Sequence, residues 1–255
     1  MVISIMDVNY IQLYSNLLFS NEPDSDSALS YLKSNRGLTE DIIKLFQIGY
    51  CGKNSEVPGN DQDEKYTNSR LRGKIVIPIK SEFDDLLAFA ARSSIAEEKG
   101  WWNQKFEKNN NLYLLNWSKE DILENSKVYI VEGYFDAITL YQWGIKNICS
   151  LMGTAFGHRR VGLLARYCEK VCLCFDTDEK KQEGKAGAGQ LARAKSIYEL
   201  NQYGWKDISY ISMPVGVDPD EYIIKNGKDS FLGLEKHLTQ KDIIRISNKY
   251  KQYTK

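Results

Sequence analysis

The sequence predicts an α/β protein, with a mixed α/β N-terminal lobe followed by a parallel-sheet domain carrying helices on both faces. Three observations carry this. Four short, nearly continuous apolar runs recur at 128–131, 148–151, 171–175 and 208–211. Helical segments separate them, at about 134–143, 158–167 and 188–203, and Gly144 and Gly204 stand where C-terminal helix caps belong. Strands apolar on both sides and spaced by helices are buried on both faces, as in a parallel sheet. Earlier, Lys74-Ile75-Val76-Ile77-Pro78-Ile79-Lys80, a turn at 81–85 and a second apolar run at 86–91 read as an antiparallel hairpin.

The remaining elements follow in chain order. Residues 21–27 form a polar break, and a helix over about 28–35 stops at Gly37. Thr39 caps a short helix through Phe46. Residues 49–62 read as a loop, with Gly52, Pro58 and Gly59 as breakers. The Ser118 side chain is expected to cap a helix through about Glu124. From about Asp229 the chain reads as a polar helical tail with little apolar surface. These signals divide the chain into an extension (1–24), a basic lobe (25–118), the parallel-sheet domain (119–226) and the tail (227–255).

Composition narrows the function classes. The chain has 255 residues, long enough to bury a proper core, and its 42% hydrophobic content argues against wholesale disorder. No apolar run approaches the roughly 18 residues a membrane span needs, and the start does not read as a signal peptide. A reducing cytoplasmic setting with no membrane partner is the expectation. The five cysteines form no CxxC pair and there are only two histidines, so a zinc ribbon or finger is not expected. The 34 basic and 34 acidic residues cancel. Cancellation of the sum does not exclude a nucleic-acid partner, because distribution along the chain matters.

The acids have a pattern. Glu132 follows the run at 128–131 directly, with Asp136 one helical turn beyond. Asp176 and Asp178 follow 171–175, and Asp218 and Asp220 lie just beyond 208–211. Sites in open parallel sheets form at the carboxyl ends of the strands. Three acidic groups there would converge on one crevice, where they repel unless cations neutralise them, and hard divalent ions suit an all-oxygen set. Gly133 leaves room for backbone or phosphate to approach. The bases are concentrated upstream. Residues 65–108 carry nine basic and six acidic side chains, and Arg70, Arg72 and Lys74 alternate as if on one face of a strand entry. Trp101 and Trp102 lie near Lys99 and Lys105, suited either to base stacking or to one core and one surface position. His158-Arg159-Arg160 is either a phosphate contact or a solvated helix start.

The string Val131-Glu132-Gly133-Tyr134-Phe135-Asp136 with Phe175-Asp176-Thr177-Asp178 resembles the TOPRIM domain of bacterial-type primases, topoisomerases and some nucleases. Upstream, Arg36-Gly37-Leu38, Ile48-Gly49-Tyr50, Arg70-Leu71-Arg72-Gly73-Lys74, Ala91-Arg92 and Lys108 through Tyr113 resemble the catalytic core of bacterial-type (DnaG-family) DNA primases, as do Gly153-Thr154 and Asp218-Pro219-Asp220. The likeness runs from about 28 to 226. It implies primer synthesis from ribonucleoside triphosphates on single-stranded DNA, by metal-dependent nucleotidyl transfer with Mg2+ or Mn2+. It implies Glu132, Asp176 and Asp178 as catalytic residues, with Asp136, Asp218 and Asp220 completing the metal positions; Glu132 is either ligand or base. Arg36, Arg70, Arg72, Lys74, Arg92, Lys99 and Lys108 would hold the template. A replicative helicase or a zinc-bearing initiation partner is implied as well.

Departures from that pattern are Thr177 for the usual Gly, Ala91 for a Gly, and a lysine-rich insert at 179–185 ahead of Ala186-Gly187. The family's zinc-binding and helicase-binding domains are not in this sequence, so the reading is a small primase core, phage-encoded or excised from a longer chain. A TOPRIM nuclease and a non-catalytic nucleic-acid-binding module are the alternatives.

Overall fold

A computed structural model describes residues 5–57, 68–94, 100–153, 156–176 and 188–253. The chain forms two compact units, 1–106 and 107–255. Among the described residues no helix is long and apolar enough to cross a membrane.

The first unit is a four-stranded antiparallel sheet with helices at its N-terminal end. Its elements are α1 (Ile5–Leu18), α2 (Pro23–Ser30) running into a π-helical turn (Tyr31–Asn35), α3 (Glu40–Leu45), β1 (Gly49–Cys51), β2 (Lys74–Lys80), β3 (Leu86–Arg92) and β4 (Trp102–Asn103). The sheet order is β1-β2-β3-β4. Thr39 caps α3 as expected, its hydroxyl accepting from the Ile42 N–H at 3.4 Å. Helix α2 begins at Pro23, earlier than composition suggested, because Pro suits the first helical position and Ser25 bonds back to Glu22.

Gly49–Cys51 was expected as loop and is a strand, because antiparallel pairing with Lys74–Val76 overrides local turn chemistry. Gly49 is needed for packing: a Cβ there would stand 2.5 Å from the Tyr14 carbonyl carbon of α1. Helix α1 therefore belongs to the core, where Ile11 and Tyr14 pack with Cys51, Val76 and Phe89. Pro78 is tolerated inside β2 for a reason of register. Its partner Phe89 directs its own N–H and C=O to Gln104, so Pro78 faces the other edge, beyond the end of β1.

The second unit holds α4 (Leu115–Asn125), β5 (Lys127–Val131), α5 (Tyr134–Gln142), β6 (Ile148–Ser150), α6 (His158–Leu164), β7 (Lys170–Cys174), α7 (Ala188–Gln202), β8 (Asp207–Ile211), α8 (Pro219–Asn226), α9 (Lys228–Leu232), β9 (Glu235–His237) and α10 (Gln240–Tyr253). Sheet order is β6-β5-β7-β8-β9, parallel except for the antiparallel edge β9. Right-handed crossovers put α5 on one face and α6 and α7 on the other. Consistently, α5 packs on α8, and both α6 and α10 pack on α7. The core between sheet and the second face joins Val128, Ile130, Val171, Leu173 and Ile208 to Ile122, Val161, Ile197 and Ile243.

Two expectations change here. Ser118 does not cap α4. It lies inside the helix and its hydroxyl donates to the Ile148 carbonyl at 2.8 Å, while Leu114 at φ 69° turns the chain into the helix. Residues 227–255 are not a purely helical tail. They supply β9 to the sheet, and Ile243 of α10 to the core. Glu235 explains the strand: it lies in β9 with its carboxylate on Lys127 at 2.7 Å and Ser209 beside it.

Candidate active site

The strand order places the acids. From β5 the chain crosses to β6 on one side, then returns past β5 to β7 on the other. The carboxyl ends of β5 and β7 therefore flank a topological switch point, where crevices form in open α/β sheets. Val131 pairs with Cys174, so Glu132 and Asp176 leave neighbouring strands at nearly the same level. The end of β5 is fixed from the β6 side. The Glu132 carbonyl accepts from the Gly153 N–H at 2.8 Å and the Ser150 hydroxyl at 3.0 Å, which holds the half-buried Glu132 in register.

Asp136 sits in the first turn of α5, where its Oδ2 accepts the Gly133 N–H at 3.1 Å. A Cβ on residue 133 would lie 2.5 Å from that oxygen, so the glycine is what lets the carboxylate fold back. Burial pushes the Asp136 carboxyl well above the usual carboxylate range. The charges of Asp220, Asp176 and Asp218 push it further, against the opposing Gly133 N–H. Those four acids thus share one electrostatic environment. Asp220 is only 4% exposed and Asp218 is exposed, both at the start of α8, whose first turn favours negative charge.

Asp178 and Lys99 lie outside the described residues. Among the described residues, no group of three or more acid, histidine or cysteine side chains is drawn together tightly enough to grip an ion. The donors still suit one. A gathering of carboxyls that raises one of its own members has the charge and the oxygen chemistry a hard divalent cation neutralises.

Sequence reasoning missed two contributors. Gly189, in the first turn of α7, lies against Asp176: a Cβ there would collide with the Asp176 carbonyl oxygen. The run Ala186-Gly187-Ala188-Gly189 offers two Ala-Gly pairs, and the family likeness pointed to the first; only packing identifies Gly189 as a close-approach residue. The second is Tyr250 of α10. With Phe156, Phe175 and Leu191 it walls a cavity of about 440 Å3 that Glu132 also lines. Its signal was hidden in a segment read as a polar tail.

The basic residues are placed as follows. Asn68–Leu71 is a 3-10 turn and Gly73 has φ 70°, so Arg70 and Arg72 precede β2 and do not alternate on a strand with Lys74. Leu71, between the two arginines, is fully buried, and that anchors the turn while Arg70 and Arg72 stay exposed. Arg72 Nε donates to the Ser55 carbonyl at 3.1 Å. Arg36 donates to the Tyr31 hydroxyl at 3.0 Å and lies over that ring. Arg92 lies 5.7 Å from the Trp101 ring centre, and Trp102 packs on the first unit's core, which gives the pair one inward and one cation-facing ring. Lys105 is exposed. Arg160 is fully buried, so it is neither a solvated helix start nor a direct phosphate ligand.

A protein-family model described as Toprim-like matches residues 129–223, which run from within β5 into α8 and include the acids Glu132, Asp136, Asp176, Asp218 and Asp220. The second unit therefore contains a Toprim-like domain. Similar sequences extend over both units. The DNA primase of Clostridium acetobutylicum is 32% identical over 210 residues, covering 81% of this chain and 32% of that protein. The DNA primase of Enterococcus faecalis is 28% identical over 255 residues, covering 89% and 39%. The E. coli primase catalytic core superposes with a TM-score of 0.74 at 24% identity over 90% of this chain and 79% of that one. A DnaG primase catalytic domain bound to ssDNA gives 0.72 at 24% identity, over 89% and 77%. The chain is thus similar over both units to bacterial DNA primases and has the fold of a primase catalytic core. It spans about a third of the length of the first of these relatives.

Proposed function

We propose that this chain is the polymerising core of a DNA primase, joining ribonucleotides on a single-stranded DNA template with Mg2+ or Mn2+. The observation that carries the reading is the gathering of Asp136, Asp176, Asp218 and Asp220 at the switch point of a Toprim-like sheet, in a chain similar to DNA primases. In the reaction a 3′-hydroxyl attacks the α-phosphorus of an incoming triphosphate, the P–O bond to the β-phosphate breaks, and pyrophosphate leaves. Asp176 and Asp178 would hold the cation, with Asp136, Asp218 and Asp220 completing its surroundings. The chemistry such an ion supplies is charge neutralisation at the attacking and leaving oxygens. Glu132 either shares in holding it or takes the hydroxyl proton.

The template is assigned to Arg36, Arg70, Arg72, Lys74, Arg92, Lys99 and Lys108. Contacts of this kind read phosphate and not sequence, and they weaken with salt. Replacing the exposed Arg72 with Ala should flatten the plot of log affinity for single-stranded DNA against log salt by about 0.7, the loss of one phosphate contact. Fluorescence anisotropy across a salt series reads this; an unchanged slope removes Arg72 from the template set. A cytoplasmic setting and a helicase or zinc-bearing initiation partner belong to the same proposal.

The direct test uses single-stranded DNA, labelled ribonucleotides and Mg2+ or Mn2+, with a preformed primer as a second arm in case initiation needs a partner. Metal-dependent extension supports the proposal. Cleaved DNA without incorporation points to a nuclease, and binding with neither reaction to a non-catalytic module; either result overturns it.

A further inference from the structure

Arg160, in α6, is the largest fully buried side chain among the described residues. Its Nη2 donates to the Lys108 carbonyl at 2.7 Å and its Nε to the Asn111 carbonyl at 2.8 Å. One guanidinium thus spans both ends of the short turn Lys108–Asn110, whose Lys108 carbonyl also takes the Asn111 N–H at 3.2 Å. Next to it, Arg159 donates to the Asn110 side chain at 2.9 Å. The downstream end is fixed independently. Tyr113 exchanges backbone bonds of 3.1 and 3.0 Å with Ser150, and its ring meets Tyr134 edge-on at 5.0 Å.

Burying a guanidinium is costly. Burial lowers the pKa of Arg160 to about 10, with Tyr134 opposing the shift. A methionine-sized apolar side chain would fill the same space without that cost, but it could not tie two carbonyls together. The planar fork does so, and a lysine ammonium at one point cannot match it. What the clamp fixes is the backbone from which the Lys108 side chain springs. Lys108 is itself half-buried, its amine shifted down first by burial and then by the Arg160 charge.

We infer that Arg160 is a positioning residue for template binding: it holds the Lys108–Asn111 turn so that the Lys108 ammonium stands where a nucleic-acid phosphate can meet it. This rests on the proposed assignment of Lys108 to the template. Arg160 itself is buried and touches no phosphate. Its effect on binding passes entirely through Lys108.

The test compares R160M, R160K, K108A and the double variant R160M/K108A in the full chain, with thermal melting as a check on folding and R160K available should R160M not fold. Affinity for a single-stranded oligonucleotide is measured across a salt series. K108A should flatten the log–log slope by about 0.7, and R160M should do the same. The double variant should match K108A alone. R160K, reaching one carbonyl at most, should not restore the slope. A wild-type slope in either Arg160 variant beside a flattened K108A overturns the positioning role and leaves the primase proposal standing, even where melting has dropped. An additive loss in the double variant also overturns it, because Arg160 would then act on its own. A wild-type slope in K108A overturns the assignment of Lys108 and this inference together, without touching the metal-centred reading of the acids.

Discussion

Replacing Asp176 with Asn should lower metal-dependent nucleotide addition by at least about a thousandfold, the counterpart of roughly 4 kcal/mol of lost transition-state stabilisation. The substitution keeps the shape of the side chain and removes its charge. Shape matters here because the first turn of α7 lies on the Asp176 backbone, with Gly189 against its carbonyl, so folding should be almost unaffected. Losing one carboxylate also relieves part of the repulsion that raises Asp136. D176N should therefore melt no lower than the parent, and slightly higher in the absence of divalent ions. Primer-extension rates at saturating Mg2+ and Mn2+, set beside melting curves with and without the ion, check both halves. Retained extension would remove Asp176 from the reaction. A large drop in melting temperature would mean that the carboxylate serves the fold.

The strands of the Toprim-like sheet were legible because burial on both faces makes them apolar throughout, and the acids were legible because they follow those strands directly. Hairpin β2–β3 could be read for the same kind of reason: β-branched runs flank a polar turn. What could not be read is what depends on partners distant in the chain. Gly49–Cys51 looks like loop until β2 lies beside it. Arg70 and Arg72 have the spacing of a strand face, but Leu71 is buried between them and turns the chain into a 3-10 helix instead. Arg160 reads as a helix-start cation because nothing local announces two carbonyls some fifty residues upstream. Ser118 reads as a cap because its real acceptor is the Ile148 carbonyl of the neighbouring strand. Each of these is a tertiary contact overriding a local preference, and the site is affected wherever the contact sits next to it, as with Gly189 and Tyr250.

The edge strand gives the largest stability effect. Lys127→Met should destabilise the chain by about 3 kcal/mol at pH 7, close to the range for removing one partner of a buried ion pair and reduced for partial exposure. The Lys127 side chain is 20% exposed and that of Glu235 12%, with Nζ 2.7 Å from the carboxylate. Tyr129 adds its ring beneath the ammonium at 4.6 Å and its hydroxyl on the carboxylate at 3.3 Å. Burial alone would push the Glu235 carboxyl up. The bonds from Lys127 and Ser209 outweigh it, and the carboxyl ends below its ordinary value of 4.5. A carboxylate depressed in the folded state contributes stability that is fully present above the unfolded value and lost as pH falls through the folded one. The gap between parent and K127M should thus be widest at neutral pH and close below pH 4.5. Urea unfolding at a series of pH values measures it. K127M/E235L should recover most of the loss, because it leaves no charge unpaired. A gap of the same size at acid and neutral pH would assign the cost to lost packing of the Lys127 stem. The pair also has a functional reach: Glu235 fixes β9, the chain then enters α10, and α10 carries Tyr250 to the cavity lined by Glu132. A substitution at the far end of β5 is therefore expected to loosen the wall beside the candidate catalytic acid, and K127M should lower primer extension at temperatures where its sheet is still folded.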